Sequence, residues 1–446
     1  MFVFLSENLS VPFFCRTFAV KNNVHCTKIL NTMDIQRPEL LNELVLKKHN
    51  ELIKIITGMR RSGKSYLLNK LFVNHLLQEG VPSDHIISVD LELLENLPLR
   101  EPVAMLQYIT DRTIDTAIHY VIIDEVQHLK DFEELLNTLL KKERYDVYVT
   151  GSNSRFLIKD VITIFRGRGD ELRVYPFSFR EFASAYPQES FNRLLQDYLL
   201  YGGMPQVCTF QTERQKVQYL SNLFENTYLT DIKERNHIRN DADLSELLDC
   251  LASSVGSLTS PYKLQKTFQS VKQTPLSYSA IKNYFDCLQD AFVIEQAKRY
   301  DIKGRRYIDS PQKYYFSDLG LRNARIGFRQ TEPTHLFENL VYNELRRMGY
   351  SVDVGSVESY ITVNSVRQHV QTEVDFVCNL GYERVYVQVA YMLPDEEKRR
   401  QELRPLNSIK DNFKKVLVVA DLTPTHQNED GVLVLNIFDF LNGKGF

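Results

Sequence analysis

An excess of positive charge is missing from this chain: 54 Lys and Arg stand against 57 Asp and Glu, for a net charge of −3. That balance argues against a protein that coats nucleic acid non-specifically. Apolar runs approaching the roughly 20 residues needed to span a bilayer are missing too, so no membrane span is expected. The six cysteines (Cys15, Cys26, Cys208, Cys250, Cys287, Cys378) show no CxxC pairing and no histidine companions at ligand spacing. They predict neither a disulfide framework nor a zinc site, and read as free thiols of a reducing cytoplasm. Met1-Phe2-Val3-Phe4-Leu5 is apolar, but no positive segment precedes it and Glu7-Asn8 breaks it, which speaks against a signal peptide. The remainder is ordinary for a globular chain, with 43% hydrophobic and 25% charged residues in 446, enough for two or three domains.

Against that plain background one stretch is specific. Gly58-Met59-Arg60-Arg61-Ser62-Gly63-Lys64-Ser65 follows the strand-like Ile53-Lys54-Ile55-Ile56-Thr57 and precedes Tyr66-Leu67-Leu68-Asn69-Lys70-Leu71 at helical spacing. Glycines let successive backbone N–H groups curl around a β-phosphate, and the helix that follows points its positive end at the anion. Lys64 would reach the β- and γ-phosphates, and the Ser65 hydroxyl would hold Mg²⁺. The pattern predicts a site for ATP and Mg²⁺.

Tyr120-Val121-Ile122-Ile123-Asp124-Glu125 reads as a buried parallel strand whose tip opens on a ligand crevice. Asp124 is expected to stand by Mg²⁺ and Glu125 to polarise the attacking water, which weighs against a kinase that must keep water out. A helicase fits less well, since Asp124-Glu125-Val126-Gln127 lacks the usual His or Asp at its fourth place. A third run, Tyr145–Thr150, leads into Gly151-Ser152-Asn153-Ser154, where Ser152 and Asn153 are candidate γ-phosphate sensors or a plain turn. Phe165-Arg166-Gly167-Arg168-Gly169 offers Arg166 and Arg168 as an arginine finger, in cis or from a neighbouring subunit of an oligomer, with a solvated loop as the alternative.

The order of these pieces, followed by Tyr175-Pro176-Phe177-Ser178-Phe179-Arg180-Glu181-Phe182 and Tyr201-Gly202-Gly203-Met204-Pro205, resembles a large prokaryotic family of AAA-type ATPases. Further matches are Tyr228-Leu229-Thr230-Asp231-Ile232 and Phe316-Ser317-Asp318-Leu319-Gly320-Leu321, so the resemblance runs from Met33 to Phe446. It implies an α/β P-loop core with a parallel sheet, an α-rich winged-helix-like middle, and a mixed α/β end like a restriction endonuclease. It supplies no substrate.

The periodicities divide the chain accordingly. Residues 1–32 read as an extension, either disordered or upstream of the working start at Met33. An ATPase domain is expected over 33–185, a helical connector over 186–240, a winged-helix-like domain over 241–325 and a nuclease-like domain over 326–446. In the third of these, helical stretches at 244–255, 260–270 and 277–290 precede strand-like runs at 292–300 and 314–316, joined by Lys303-Gly304-Arg305-Arg306. Between Ser260 and Lys313 ten Lys and Arg face five Asp and Glu, a local +5. That charge suits a DNA backbone, and equally a surface that packs on protein.

In the last segment Glu338 lies on an amphipathic helix, while Asp375 and Gln388 lie on strands where residues two apart share a face. The nuclease-like fold implies an Asp, a Glu or Gln, and a Lys gathered around Mg²⁺. Here the lysine's place is taken by Ala390, so the domain is expected to be inactive unless Lys398 reaches back.

Overall fold

A computed structural model describes residues 35–151, 168–236, 238, 241–271, 276–330, 332–363 and 366–446. Residues 1–32, Ser152, Asn153 and Arg166 lie outside the described residues.

The first sheet comprises β1 (Ile53–Thr57), β2 (Ile86–Asp90), β3 (His119–Asp124), β4 (Tyr145–Thr150) and β5 (Gly169–Arg173), ordered β2-β3-β4-β1-β5 and parallel throughout. The apolar runs form strands because both faces are covered, as a parallel sheet requires. On one face Ile53, Ile55, Val121, Ile123, Val147 and Val149 meet helices Pro102–Asp111 and Phe132–Leu140. On the other, Ile56, Ile122 and Tyr148 meet Leu67, Leu68, Leu71 and Phe72 of the helix that follows the glycine-rich loop. That helix begins at Lys64 and carries a wider π turn over Leu67–Phe72 before it ends at Gln78. Lys54 sits on this second face, fully buried, with its ammonium on Asp146, which also accepts from the Tyr148 hydroxyl (2.8 Å).

The second sheet has eight strands ordered β12-β13-β11-β10-β9-β8-β6-β7. They are β6 (Ile294–Asp301), β7 (Arg306–Phe316), β8 (Ser351–Val363), β9 (Val366–Leu380), β10 (Glu383–Ala390), β11 (Lys414–Val419), β12 (His426–Gln427) and β13 (Leu433–Asn436). The hairpin expected as a wing is β6 and β7, longer than its sequence pattern suggests, and β6 runs parallel to β8 as part of this sheet. Three helices precede it, at Asp241–Ser253, Pro261–Val271 and Tyr278–Asp290. The last is capped by Ser277, whose hydroxyl accepts the Ala280 N–H (3.1 Å). Thr259, between the first two, makes an isolated two-way bridge to Gln312 of β7 (2.7 and 2.9 Å).

Three sequence motifs far apart in the chain converge at one joint. Asp318, fully buried, accepts the N–H groups of Gly203 (2.7 Å) and Leu321 (2.9 Å). Gly202 has φ +71°, and a Cβ there would lie 2.5 Å from the Asp318 carboxylate, so the approach requires glycine. The Gly203 carbonyl in turn accepts the N–H of Phe177 (2.7 Å), while Glu344 accepts the N–H of Phe179 (3.2 Å). Burial raises the Asp318 carboxyl to about 6, against the pull of its backbone donors. Asp318→Ala would leave two buried N–H groups without partners, costing about 2–4 kcal/mol. A drop of several degrees in Tm is therefore expected, and an unchanged melting curve would remove Asp318 from the joint.

Candidate nucleotide-binding site

The glycine-rich loop leaves the C-terminal tip of β1, between the tips of β4 and β5. Gly58 adopts φ +138° and lies so close to Val174 that a Cβ would come within 2.1 Å of its carbonyl oxygen. Only glycine fits there, which is the local reason the loop can turn. Gly63 immediately precedes the helix that starts at Lys64. Met59 and Ser62 are buried, and the Ser62 hydroxyl has no hydrogen-bond partner. A buried unpaired hydroxyl in a loop of backbone N–H groups fits an anion as its missing partner.

Lys64 is buried and donates to the carbonyls of Gly58 (3.1 Å) and Met59 (3.0 Å). Burial lowers its pKa, while Glu125 and Asp124 oppose the shift and Arg60 adds to it. Asp124 ends β3, and burial raises its pKa against hydrogen bonds from Thr150 and Ser65. Ser65 and Asp124 thus touch, as a shared cation would need, and Asn69 also donates to Asp124 (3.3 Å). Glu125 lies one residue past the strand in a left-handed conformation, φ 52°, with its N–H on the Thr150 hydroxyl (2.8 Å). Gln127 donates to its carboxylate.

These groups surround a cavity of about 270 Å³ lined by Arg61, Lys64, Ser65, Glu125, Gln206 and Tyr219, among others. Its far wall comes from outside the sheet domain. Tyr219 and Arg61 line the cavity together, the Tyr228 hydroxyl donates to the Arg60 carbonyl (2.5 Å), and the Arg60 guanidinium lies 3.2 Å from Asp231 and 3.4 Å from Glu92.

Several of these residues escape the sequence reading. Thr150, the last polar residue of β4, holds the strand-tip place two and three residues before Ser152 and Asn153, and its position at the end of the apolar run is the signal for it. Arg37 left no signal in its local sequence. It is 2% exposed, donates to the carbonyls of Ser62 (3.0 Å) and Tyr175 (2.8 Å), and pairs with Glu181 (2.8 Å). Arg168 is not brought to the cavity. It is exposed at the start of β5, where its carbonyl accepts the N–H of Ile53, a strand length of about 17 Å from the loop.

The second constellation does gather. Glu338, on helix Pro333–Arg347, accepts from the Tyr315 hydroxyl (2.6 Å). Asp375 accepts the N–H of Val389 (2.8 Å), and Gln388 accepts the N–H of Asp375 (3.4 Å). An ammonium is present after all, from a place the sequence reading did not consider. Lys313 of β7 is buried, with Nζ 2.9 Å from Glu338, 2.6 Å from Glu373 and 4.0 Å from Asp375. Burial disfavours its charge, but the three carboxylates outweigh that and raise its pKa. Burial and Glu338 together push Asp375 well upward. Lys398 pairs with Glu402 (2.6 Å), which also accepts from Gln388 (3.3 Å).

Residues 50–183 match the family described as an AAA domain, and residues 192–332 match a domain of unknown function (DUF8612). An uncharacterized protein of Haemophilus influenzae is 34% identical over 413 residues, covering 91% of this chain and 98% of its own. The chain belongs to the same family as this protein and carries an AAA domain. The uncharacterized protein MJ1544 of Methanocaldococcus jannaschii is 26% identical over 396 residues, covering 86% of this chain and 85% of its own. Among solved structures, the Walker-type ATPase PABY2304 of Pyrococcus abyssi is 14% identical with a TM-score of 0.46, covering 66% of this chain and 96% of that one. The ORC1 protein of Aeropyrum pernix in complex with DNA is 12% identical with a TM-score of 0.29, covering 66% and 92%. Among the described residues of this family member, no helix is long and apolar enough to cross a membrane.

Arg37→Met would strip the donor from the Ser62 and Tyr175 carbonyls and leave Glu181 half-buried without its partner. Breaking such a pair costs on the order of 3 kcal/mol. Nucleotide affinity, read by titration with a fluorescent ATP analogue, is expected to weaken about tenfold, equivalent to about 1.4 kcal/mol. Affinity equal to wild type would show that the loop holds its shape without Arg37.

Proposed function

We propose that the protein is a Mg²⁺-dependent ATPase that couples hydrolysis to the binding or remodelling of DNA or a protein partner. The observation that carries this reading is the placement of Glu125 beside Lys64 in a cavity whose opposite wall, Gln206 and Tyr219, belongs to the helical region beyond the sheet domain. A nucleotide there would touch both parts at once, and its loss would change what Arg60, Arg61 and the helix at 213–236 can contact. Mg²⁺ would be held by Ser65 and Asp124 and would neutralise phosphate charge. Lys64 would exchange its two carbonyl partners for phosphate oxygens, and Glu125 would orient water. Arg166 and Arg168 remain candidates for a finger supplied to a neighbouring subunit.

Support for a winged-helix reading of 241–325 comes from the three helices, the β6–β7 hairpin and the Thr259–Gln312 bridge that ties the segment between helices to that hairpin. The partner would approach the basic turn at Lys303–Arg306. One observation favours a second reading, a slow ATP-gated switch: Gln127 holds the Glu125 carboxylate, and turnover would wait until a partner frees it.

ATP binding and hydrolysis should separate by mutation. Lys64→Ala should abolish binding, because it removes the cation that faces the phosphates. Glu125→Gln should bind normally and turn over at least about a hundredfold more slowly. Equal turnover in wild type and Glu125→Gln would sink the role given to that residue. Stimulation of the wild-type rate by DNA, across a salt series, would separate a nucleic-acid partner from a protein one.

The nuclease-like domain is proposed to be inert. Ala390 offers nothing to an attacking water, and the Lys313 ammonium is already engaged by Glu338 and Glu373. No nicking or cleavage of plasmid, linear or single-stranded DNA is expected with Mg²⁺ or Mn²⁺ and ATP, at enzyme in excess. Robust cleavage lost in Asp375→Ala would overturn this and make Lys313 or Lys398 the working cation.

A further inference from the structure

At the opposite edge of the first sheet, away from the nucleotide loop, His85, Asp115 and His119 converge with one donor atom each within 4.8 Å of the others. We propose that these three residues form a binding site for a borderline transition-metal ion of the Zn²⁺ class, which clamps the N-terminal ends of β2 and β3. No cysteine takes part, which is why a search for cysteine spacing could not anticipate it.

The geometry is built rather than incidental. His119 opens β3 and is fully buried. Its Nδ1 lies 2.9 Å from the Ala117 carbonyl, which can only accept, so Nδ1 carries the proton and Nε2 the lone pair. An imidazole oriented through one nitrogen by a backbone carbonyl is the usual support for a metal ligand at the other. At present that lone pair accepts a long hydrogen bond from the Ile114 N–H (3.3 Å), which coordination would replace. Asp115 is oriented by its own turn: Oδ1 accepts the Ala117 N–H (2.8 Å), leaving Oδ2 3.2 Å from His85 Nε2. The His85 ring lies beside that of His119, with centroids 4.6 Å apart and planes at 32°.

Two imidazole nitrogens and one carboxylate oxygen are the donor set of zinc, cobalt or nickel and suit magnesium poorly. Tetrahedral bonds of about 2.0–2.1 Å would need the donors to draw together by about 1 Å. His85, in the short turn Ser83–His85, and Asp115, in an exposed loop, are placed to make that movement while His119 stays in the core. A fourth position would be left for water. An ion there joins the turn before Ile86 to the loop before His119, at the ends of β2 and β3 opposite Asp90 and Asp124. It would therefore stabilise the sheet without entering the nucleotide site.

The test uses the full chain stripped with a chelator and dialysed. Wild type is expected to take up one equivalent of Co²⁺ with visible d–d bands of a low-coordinate nitrogen and oxygen site, to lose them to Zn²⁺, and to melt at a higher temperature with Zn²⁺. His85→Ala and Asp115→Ala, both changes near the surface, should melt like metal-free wild type and bind Co²⁺ at least tenfold more weakly, with binding of a fluorescent ATP analogue unaltered. Uptake equal in wild type and both variants would overturn the proposal. So would a thiolate-to-cobalt charge-transfer band, which would assign the ion to a cysteine, or absorption abolished by saturating Mg·ATP, which would place it at Ser65 and Asp124.

Discussion

The carboxylate of Asp318 ties together segments that lie far apart in the chain. It is buried, it takes up the N–H groups of Gly203 and Leu321, and its approach excludes a side chain at position 202. Phe177, reached through Gly203, continues from Tyr175, whose carbonyl is bound by Arg37, and Arg37 also grips the Ser62 carbonyl in the phosphate loop. The path from the loop to the second sheet is therefore a run of directional hydrogen bonds, each with a buried partner that would be costly to orphan. Such a linkage fixes the segments relative to one another, because a buried N–H that loses its acceptor is costly.

This joint also accounts for motifs that carry no chemistry of their own. The segments around Phe177, Gly202 and Asp318 meet at this buried joint and not at the cavity beside Lys64. Their residue types are dictated by close backbone approach. Gly202 must admit a carboxylate, and Asp318 must satisfy backbone donors from two segments. Arg347 and Glu344 meet the same place from the helix of the second sheet, with Arg347 2.7 Å from Glu344. A motif can therefore be specific for an internal fit, and its strength says nothing about catalysis.

Elements set by local pattern were legible beforehand, and those set by distant partners were not. The strand Tyr145–Thr150 coincides with its apolar run, and the helix start at Lys64 follows from the glycine before it. Glu125 was legible as the residue that follows an apolar strand, but its left-handed backbone follows from the Thr150 hydroxyl on the neighbouring strand. Lys54, by contrast, interrupts an apolar run for no local reason. Its cause is Asp146, 92 residues later on the adjacent strand. The hairpin β6–β7 was legible as a basic hairpin, yet nothing within it announces that β6 pairs with β8. Sheet membership depends on a partner strand more than fifty residues away, and the local sequence does not encode it.

The two lysine–carboxylate constellations make the same contrast in electrostatic terms. Lys64 has Asp124 and Glu125 near it, but burial wins and its pKa falls, so the charged form lacks a sufficient counter-charge in the protein itself. Lys313 is comparably buried, and Glu338, Asp375 and Glu373 more than compensate, so its charge is already satisfied. An ammonium left short of anions within the protein is able to take one up. An ammonium surrounded by carboxylates has its charge met within the protein. One chain thus holds two outwardly similar clusters that differ in the balance of charge around each lysine, and the second lysine braces β7, β9 and the helix at 333–347 together.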